Sequence, residues 1–359
     1  MRVSANPASG LIEDRHAPVR RWLWATAGMI ALTAVVGAAT RLTGSGLSIT
    51  EWNPIMGVIP PLNEAEWQAA LAKYREIPQY KLINRGMSLE AFKVIFWWEW
   101  AHRMLARAIG VVFLVPFLAL LAARRIPRSL VPMLLVVFAL GALQGAVGWY
   151  MVRSGLVDRV DVSQYRLALH LGLAVLIFGL LVRAALQLAP HQGDVERAGV
   201  TVATWLSAVG LVGLIYLQIL LGALVAGLKA GRTYTTWPLM DGRFVPEGLL
   251  QLQPAWVNLF ENAALVQFNH RIAAYIVTGL AAAHAVRIWR SVADQRIRRT
   301  AAALAVLTLA QAALGVWTLL AWVPVGLGVA HQFGALVVLA VAIAHASALE
   351  RMPVPRRAA

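Results

Sequence analysis

Cysteine is absent from the sequence, and with it disulfides, thiolate metal sites and cysteine nucleophiles. Acidic residues are scarce as well, 17 Asp and Glu against 32 Lys and Arg, and only 14% of the chain is charged. Without cysteines or a carboxylate cluster, structural zinc and di-iron sites lose their usual ligands, so a bound metal must sit on histidine. The N-terminus also lacks an apolar core followed by a small-residue cleavage site, the pattern expected of a signal peptide. Residues 1–21 therefore read as a retained cytoplasmic tail.

What the chain has in plenty is apolar side chains, 59% of its 359 residues, in windows of twenty or so that read as membrane spans. Hydropathy predicts an all-α integral membrane protein with eight helices, at about 22–40, 92–122, 130–151, 167–188, 200–226, 263–287, 300–321 and 326–348. The formal charge of +15 does not point to nucleic acid, because the basic residues fall largely in short loops between spans. Arg20, Arg21, Arg124, Arg125, Arg128, Arg183, Arg197, Arg287, Arg290, Arg296, Arg298, Arg299, Arg351, Arg356 and Arg357 all lie on one side. By the positive-inside rule that side is the cytoplasm, with both termini on it. The other side carries two long loops, at about 41–91 and 227–261, rich in Gly, Pro and Trp. Trp52, Trp67, Trp237 and Trp256 suit packing at the bilayer surface, and the loops read as caps over a pocket.

The chain is organised around Phe96-Trp97-Trp98-Glu99-Trp100-Ala101-His102-Arg103, at the start of an apolar helix. Ionisable side chains on a segment fit for lipid are costly and mark function; three apart, Glu99 and His102 share a helix face. Gln267-Phe268-Asn269-His270-Arg271 repeats the pattern at the start of a later helix, which implies two tandem, duplicated four-helix bundles. The matches run in order. Gly37, Gly44 and Gly46 answer to Gly222, Gly227 and Gly231; His102-Arg103 to His270-Arg271; Gln144 with Gly148 to Gln311 with Gly315; and His170 to His331. The halves fall at 22–190 and 191–348, with a second cytoplasmic tail at 349–359. For the glycines and glutamines the plainer reading is helix packing and interhelical hydrogen bonding.

His102, His170, His270 and His331 lie in the outer parts of parallel helices, so two in each half can face one another across a bundle core. The occupant that suits two imidazoles is an iron porphyrin. The competing reading, four packed histidines bonded to neighbours, does not explain matching repeat positions. His16 and His191 read as loop residues without a role. His284 and His345 each follow a site histidine by fourteen residues, about 21 Å on a helix, a spacing that resembles the two stacked haems of quinol-oxidising cytochrome b. Pro116 and Ala184 occupy the corresponding places in the first half, which leaves that rival, a di-haem membrane electron carrier, with no use for His102 and His170.

The residues resemble the haem A synthase family, in its mitochondrial and alphaproteobacterial branch, over nearly the whole chain. The resemblance is carried by Gly44-Ser45-Gly46-Leu47-Ser48-Ile49-Thr50-Glu51-Trp52-Asn53-Pro54, Pro78-Gln79-Tyr80, Gly86-Met87-Ser88-Leu89, Glu99-Trp100-Ala101-His102-Arg103, and Glu261-Asn262 leading into Val266-Gln267-Phe268-Asn269-His270-Arg271. It implies an enzyme of the bacterial inner membrane that oxidises a ring methyl of haem O to a formyl group, giving haem A for cytochrome c oxidase. It also implies His102, His170, His270 and His331 as axial ligands and Glu99 as the functional glutamate. Another branch carries a cysteine pair in the first outer loop; this chain has none, so a mechanism needing that pair cannot operate here.

Glu99 against Gln267 is the chemical asymmetry of the repeat: a carboxylate exchanges protons and an amide only hydrogen-bonds. The first half is thus expected to take substrate haem O at His102 and His170, with the sites toward the periplasm, and the second to keep a resident haem B at His270 and His331. A plain Glu99–Arg103 pair is the alternative reading of that carboxylate. Arg103, Arg107 and Arg271 are candidate partners for haem propionates, with snorkelling as the competing explanation. Haem O, with its isoprenoid tail, is expected to enter sideways from the outer leaflet into the first half, under a lid formed by loop 41–91. An electron donor and a haem O synthase delivering within the bilayer are the expected partners, and a homo-oligomer is compatible with the sequence.

Overall fold

A computed structural model describes residues 14–53, 56–157, 159–190 and 200–350. Its α-helices are α1 (Ala17–Leu42), α2 (Glu64–Arg75), α3 (Pro78–Leu82), α4 (Leu89–Ala122), α5 (Val131–Val157), α6 (Gln164–Gln187), α7 (Val202–Gly227), α8 (Asn258–Glu261), α9 (Ala263–Ser291), α10 (Gln295–Leu320) and α11 (Val325–Glu350). Among the described residues, eight of these are long and apolar enough to cross a membrane: α1, α4, α5, α6, α7, α9, α10 and α11. They are the eight expected from hydropathy. The first starts earlier than expected, inside the stretch read as a tail, because Pro18 suits a first helical turn and Arg20 ties that turn to the Leu188 carbonyl (3.1 Å). His191, Arg197 and the tail from Arg351 onward lie outside the described residues.

Two groups of four spanning helices lie side by side. Helix α1 packs on α4 and α6, and α6 on α5; in the second group α7 packs on α9 and α11, and α10 on both α9 and α11. The groups meet through α1, α6, α7 and α11. Gln332 on α11 donates to the Ala34 carbonyl on α1 (2.7 Å), and Tyr216 on α7 to the Gly172 carbonyl on α6 (3.1 Å). Lipid gives apolar helices no hydrophobic reason to associate, so such bonds and close van der Waals packing hold the contact.

The long loops sit at the end where α1 and α7 finish and α4 and α9 begin. Loop 41–91 is folded. Gly44, with φ +69°, ends α1 in the left-handed turn that glycine favours; Asn63 and Ser88 cap α2 and α4 with their side chains. Trp67, Leu71, Tyr74 and Ile77 pack with Leu47 against Phe92, Ile95 and Phe96 of α4. The loop's own members of this cluster lie outside the spanning helices, where burial from water applies and a fully buried Leu such as Leu71 contributes roughly 1.5–3 kcal/mol. The Tyr74 hydroxyl donates to Gln79 (2.9 Å) and accepts from Asn84 (2.7 Å). Burial pushes its pKa above the ordinary phenol value, so it stays a donor.

Candidate functional site

Each of the four histidines meets two residues one turn apart on the preceding spanning helix. On α1 these are Thr33 and Gly37, facing His102 of α4; on α5, Gln144 and Gly148, facing His170 of α6; on α7, Gln218 and Gly222, facing His270 of α9; on α10, Gln311 and Gly315, facing His331 of α11. The glycines are cradles for the rings. A Cβ placed on Gly37, Gly148, Gly222 or Gly315 would lie 2.7, 3.0, 3.2 or 2.8 Å from the Cε1 of its histidine, so any side chain there displaces the ring.

The second residue sets what the ring nitrogens can do. His102 Nδ1 lies 3.1 Å from the Thr33 carbonyl, which can only accept; Nδ1 therefore carries the proton, and Nε2 keeps its lone pair for a metal. At the other three the glutamine Nε2 donates to the histidine's own backbone carbonyl, at 3.0 Å (Gln144), 2.9 Å (Gln218) and 2.7 Å (Gln311), and stands 3.1 Å from Nδ1 in each. The Oε1 atoms of Gln144 and Gln218 are buried without a partner. A half-turn of the amide would offer that oxygen to an Nδ1–H and leave Nε2 of the histidine to a metal, in exchange for the bond to the histidine's backbone carbonyl.

His270 and His331 face each other with ring centroids 6.5 Å apart and planes at 84°. Bonds of about 2 Å to each imidazole fit between them. A cradled all-imidazole set with orphaned acceptors behind the rings matches an iron porphyrin, and among the described residues no three His, Asp or Glu converge as a conventional metal cluster.

His284 and His345 behave otherwise. Their Nε2 atoms are 2.8 Å apart in a direct hydrogen bond, against about 4 Å for two imidazoles sharing a metal. Their Nδ1 atoms bond to Ser207 (2.9 Å) and Thr300 (2.8 Å). The pair is 5% and 0% exposed and links α7, α9, α10 and α11 in one chain of bonds. The fourteen-residue spacing thus brings these rings together as a brace, which removes the feature that suggested a second stacked haem.

Glu99 is 3% exposed, and its carboxylate is fully engaged. Oε2 accepts from the Ser48 hydroxyl (2.7 Å) and the Ile49 N–H (2.8 Å); Oε1 accepts from Arg103 (2.7 and 3.1 Å). Arg103 also donates to the Ile49 and Glu51 carbonyls (2.7 and 2.9 Å), and Arg107 to that of Asn53 (2.9 Å). In the other half Gln267 donates to the Tyr234 carbonyl (2.8 Å), and Arg271 to Tyr234 and Thr236 (2.9 and 3.0 Å). Both halves therefore use the same two positions, one turn apart, to fasten their long loop. In the first half the fastening is an ion pair, and in the second it is an amide and an arginine on carbonyls. Sequence reasoning placed Gln144 and Gln311 but missed Gln218 and Thr33. The signal was available, since Gln218 stands four before Gly222 as Gln144 stands four before Gly148.

Residues 20–343 match the family model described as COX15-CtaA, cytochrome oxidase assembly protein. The chain is 53% identical over 343 residues to a protein named heme A synthase from Chelativorans sp. (strain BNC1), covering 94% of both chains. It is 48% identical to the heme A synthase of Parvibaculum lavamentivorans over 339 residues, 94% of this chain and 96% of the relative. The heme A synthase of Mesorhizobium japonicum is 52% identical over 331 residues, 92% of this chain and 90% of that one. With a match across nearly its whole length, the chain belongs to the COX15-CtaA family of cytochrome oxidase assembly proteins.

Proposed function

We propose that this membrane protein is a haem A synthase, an oxidoreductase that converts haem O to haem A for cytochrome c oxidase. The first half (22–190) handles the substrate between His102 and His170, and the second (191–348) holds a resident haem B between His270 and His331. The observation that carries the reading is the fourfold cradle: four imidazoles on matching helices, each with a glycine at its edge and an acceptor or amide behind Nδ1.

The halves differ where the reading needs them to differ. His102 is set as a ligand by a carbonyl and lies three residues from Glu99, whereas both histidines of the second half have amide partners and an amide at Gln267. An iron porphyrin, when bound, supplies the electron transfer that oxidising a methyl group demands. This chain's own residues hold the rings, keep Nε2 available and keep the loops closed over the site against water. Glu99, paired with Arg103 and holding the loop, is the carboxylate three residues from His102 and so the candidate to exchange a proton there. Arg103, Arg107 and Arg271 act first as loop anchors, and haem propionates would take the N–H groups that the loop carbonyls leave.

The basic short loops put both termini in the cytoplasm and the histidines toward the periplasmic side of the inner membrane. The substrate is too apolar to cross water readily, which supports delivery within the bilayer by a haem O synthase; the oxidation further requires an electron-transfer partner. The test is a pair of variants. His270→Ala should lose haem B from the purified protein, whereas His102→Ala should keep haem B and lose haem A formation. Equal loss of haem B in both would overturn the division of labour.

A further inference from the structure

Three sides of the two bundles correspond and the fourth does not. Helices α1–α4, α1–α6 and α5–α6 pack much as their counterparts α7–α9, α7–α11 and α10–α11 do, but α4 and α5 barely touch while α9 and α10 are in close contact along their length. The two helix pairs also differ in side chains at corresponding positions. In the repeat, Gly110 on α4 stands where α9 has Thr278, and Gly141 on α5 stands where α10 has Thr308. Thr308 is buried, whereas Gly110 and Gly141 are exposed, and a Cβ on either glycine would meet nothing within 4 Å.

The gap is bounded at both ends. Away from the cap, Phe113 of α4 stacks on Phe138 of α5, with centroids 6.3 Å apart and planes at 13°. At the cap end the loop reaches across to α5 through Trp52 on Trp149 (6.3 Å) and through Leu47 seated against Gly155. What stays open is a slot between that stack and the cap, a stretch that carries His102 on α4 and, on α5, Gln144 and Gly148 against His170. It faces lipid, because the two groups meet through α1, α6, α7 and α11 and not through α4 or α5.

We propose that the α4–α5 slot is the lateral portal through which an iron porphyrin with a long apolar chain passes between the bilayer and His102–His170. This rests on the reading of the first half as the substrate site. The occupant follows from what the slot joins, a pair of cradled imidazoles on one side and hydrocarbon on the other: the ring passes inward and the chain stays in lipid. The second half, closed at α9–α10 and braced by His284 and His345, keeps its haem.

The absence of cysteine makes the test direct. Full-length protein carrying Gly110→Cys and Gly141→Cys, in lipid nanodiscs, is bridged with a cleavable thiol-reactive linker, and haem O supplied in the bilayer is followed by its absorbance shift on binding. Bridging should slow uptake at least tenfold with the haem B spectrum unchanged, and cleaving the linker should restore it. Gly141→Phe, which fills the slot without a bridge, should slow uptake as well. Uptake at the unbridged rate in both would overturn the portal while leaving the function standing. If the unbridged and parent proteins bind no haem O at all, the substrate reading falls and takes the portal with it.

Discussion

The glycine beside each imidazole and the carbonyl or amide behind it do different work, and substitutions separate the two. Gly37→Ala puts a methyl group 2.7 Å from His102 Cε1, a distance real Cβ contacts do not tolerate, so the ring must turn away from its ligand position. The expected outcome is loss of haem A formation with haem B retained, measured by chromatography of extracted haems. Gly145→Ala, next to Gln144 in sequence but open on its Cβ side, should leave both haems in place. Gln218→Leu removes the group behind His270 Nδ1. Partners of this kind are worth about 10–100-fold in metal affinity and make the imidazole a stronger donor. The variant should therefore release haem B more readily, and the haem that remains should titrate at a more positive midpoint potential.

At the scale of elements, the fastening of loop 41–91 to α4 raises the question whether Glu99 serves chemistry or only the cap. Glu99→Ala leaves Arg103 without its carboxylate, and breaking a buried pair from one side costs on the order of 3 kcal/mol; the cap should become sensitive to added protease. Glu99→Gln keeps an acceptor for Ser48 and Ile49 and removes the titratable proton. If Glu99 acts in the reaction, the glutamine variant should lose haem A formation while its cap stays protease-resistant. Normal haem A output from that variant would assign Glu99 to the cap alone. The long helices were legible because sustained apolar runs show in hydropathy, although α1 and α4 start earlier than expected, at Ala17 and Leu89. The folded interior of loop 41–91 was less so, because α2 and α3 are too short and too polar to show in hydropathy; Trp67 and Tyr74 gave the hint of a packed cap without its partners.

For the whole molecule, the repeated sequence pattern made the site readable: His102, His170, His270 and His331 recur at matching positions, and the structure gives each the same kind of cradle. The asymmetries were the hard part. That His284 and His345 bond to each other depends on how α9 and α11 rotate about their axes, which spacing along one helix does not fix. The slot between α4 and α5 depends on contacts that fail to form, and a missing contact leaves no motif. His345→Ala should leave haem content per chain unchanged, because both ring nitrogens are bonded within the protein, to His284 and Thr300. It should lower the thermal midpoint of the second half, since the His284 Nε2 left buried without a partner costs about 1–3 kcal/mol. A fall of one haem per chain in that variant would restore the electron-carrier reading.

The claim on which the rest depends is that the two halves hold chemically different haems. Purifying the protein from cells that make haem O, then identifying its pigments by pyridine haemochrome and chromatography, addresses that claim most directly. Haem B together with haem O or haem A, in equal amounts when the substrate half is full, is the expected result. Haem B alone at two per chain, with neither haem O nor haem A, would contradict it.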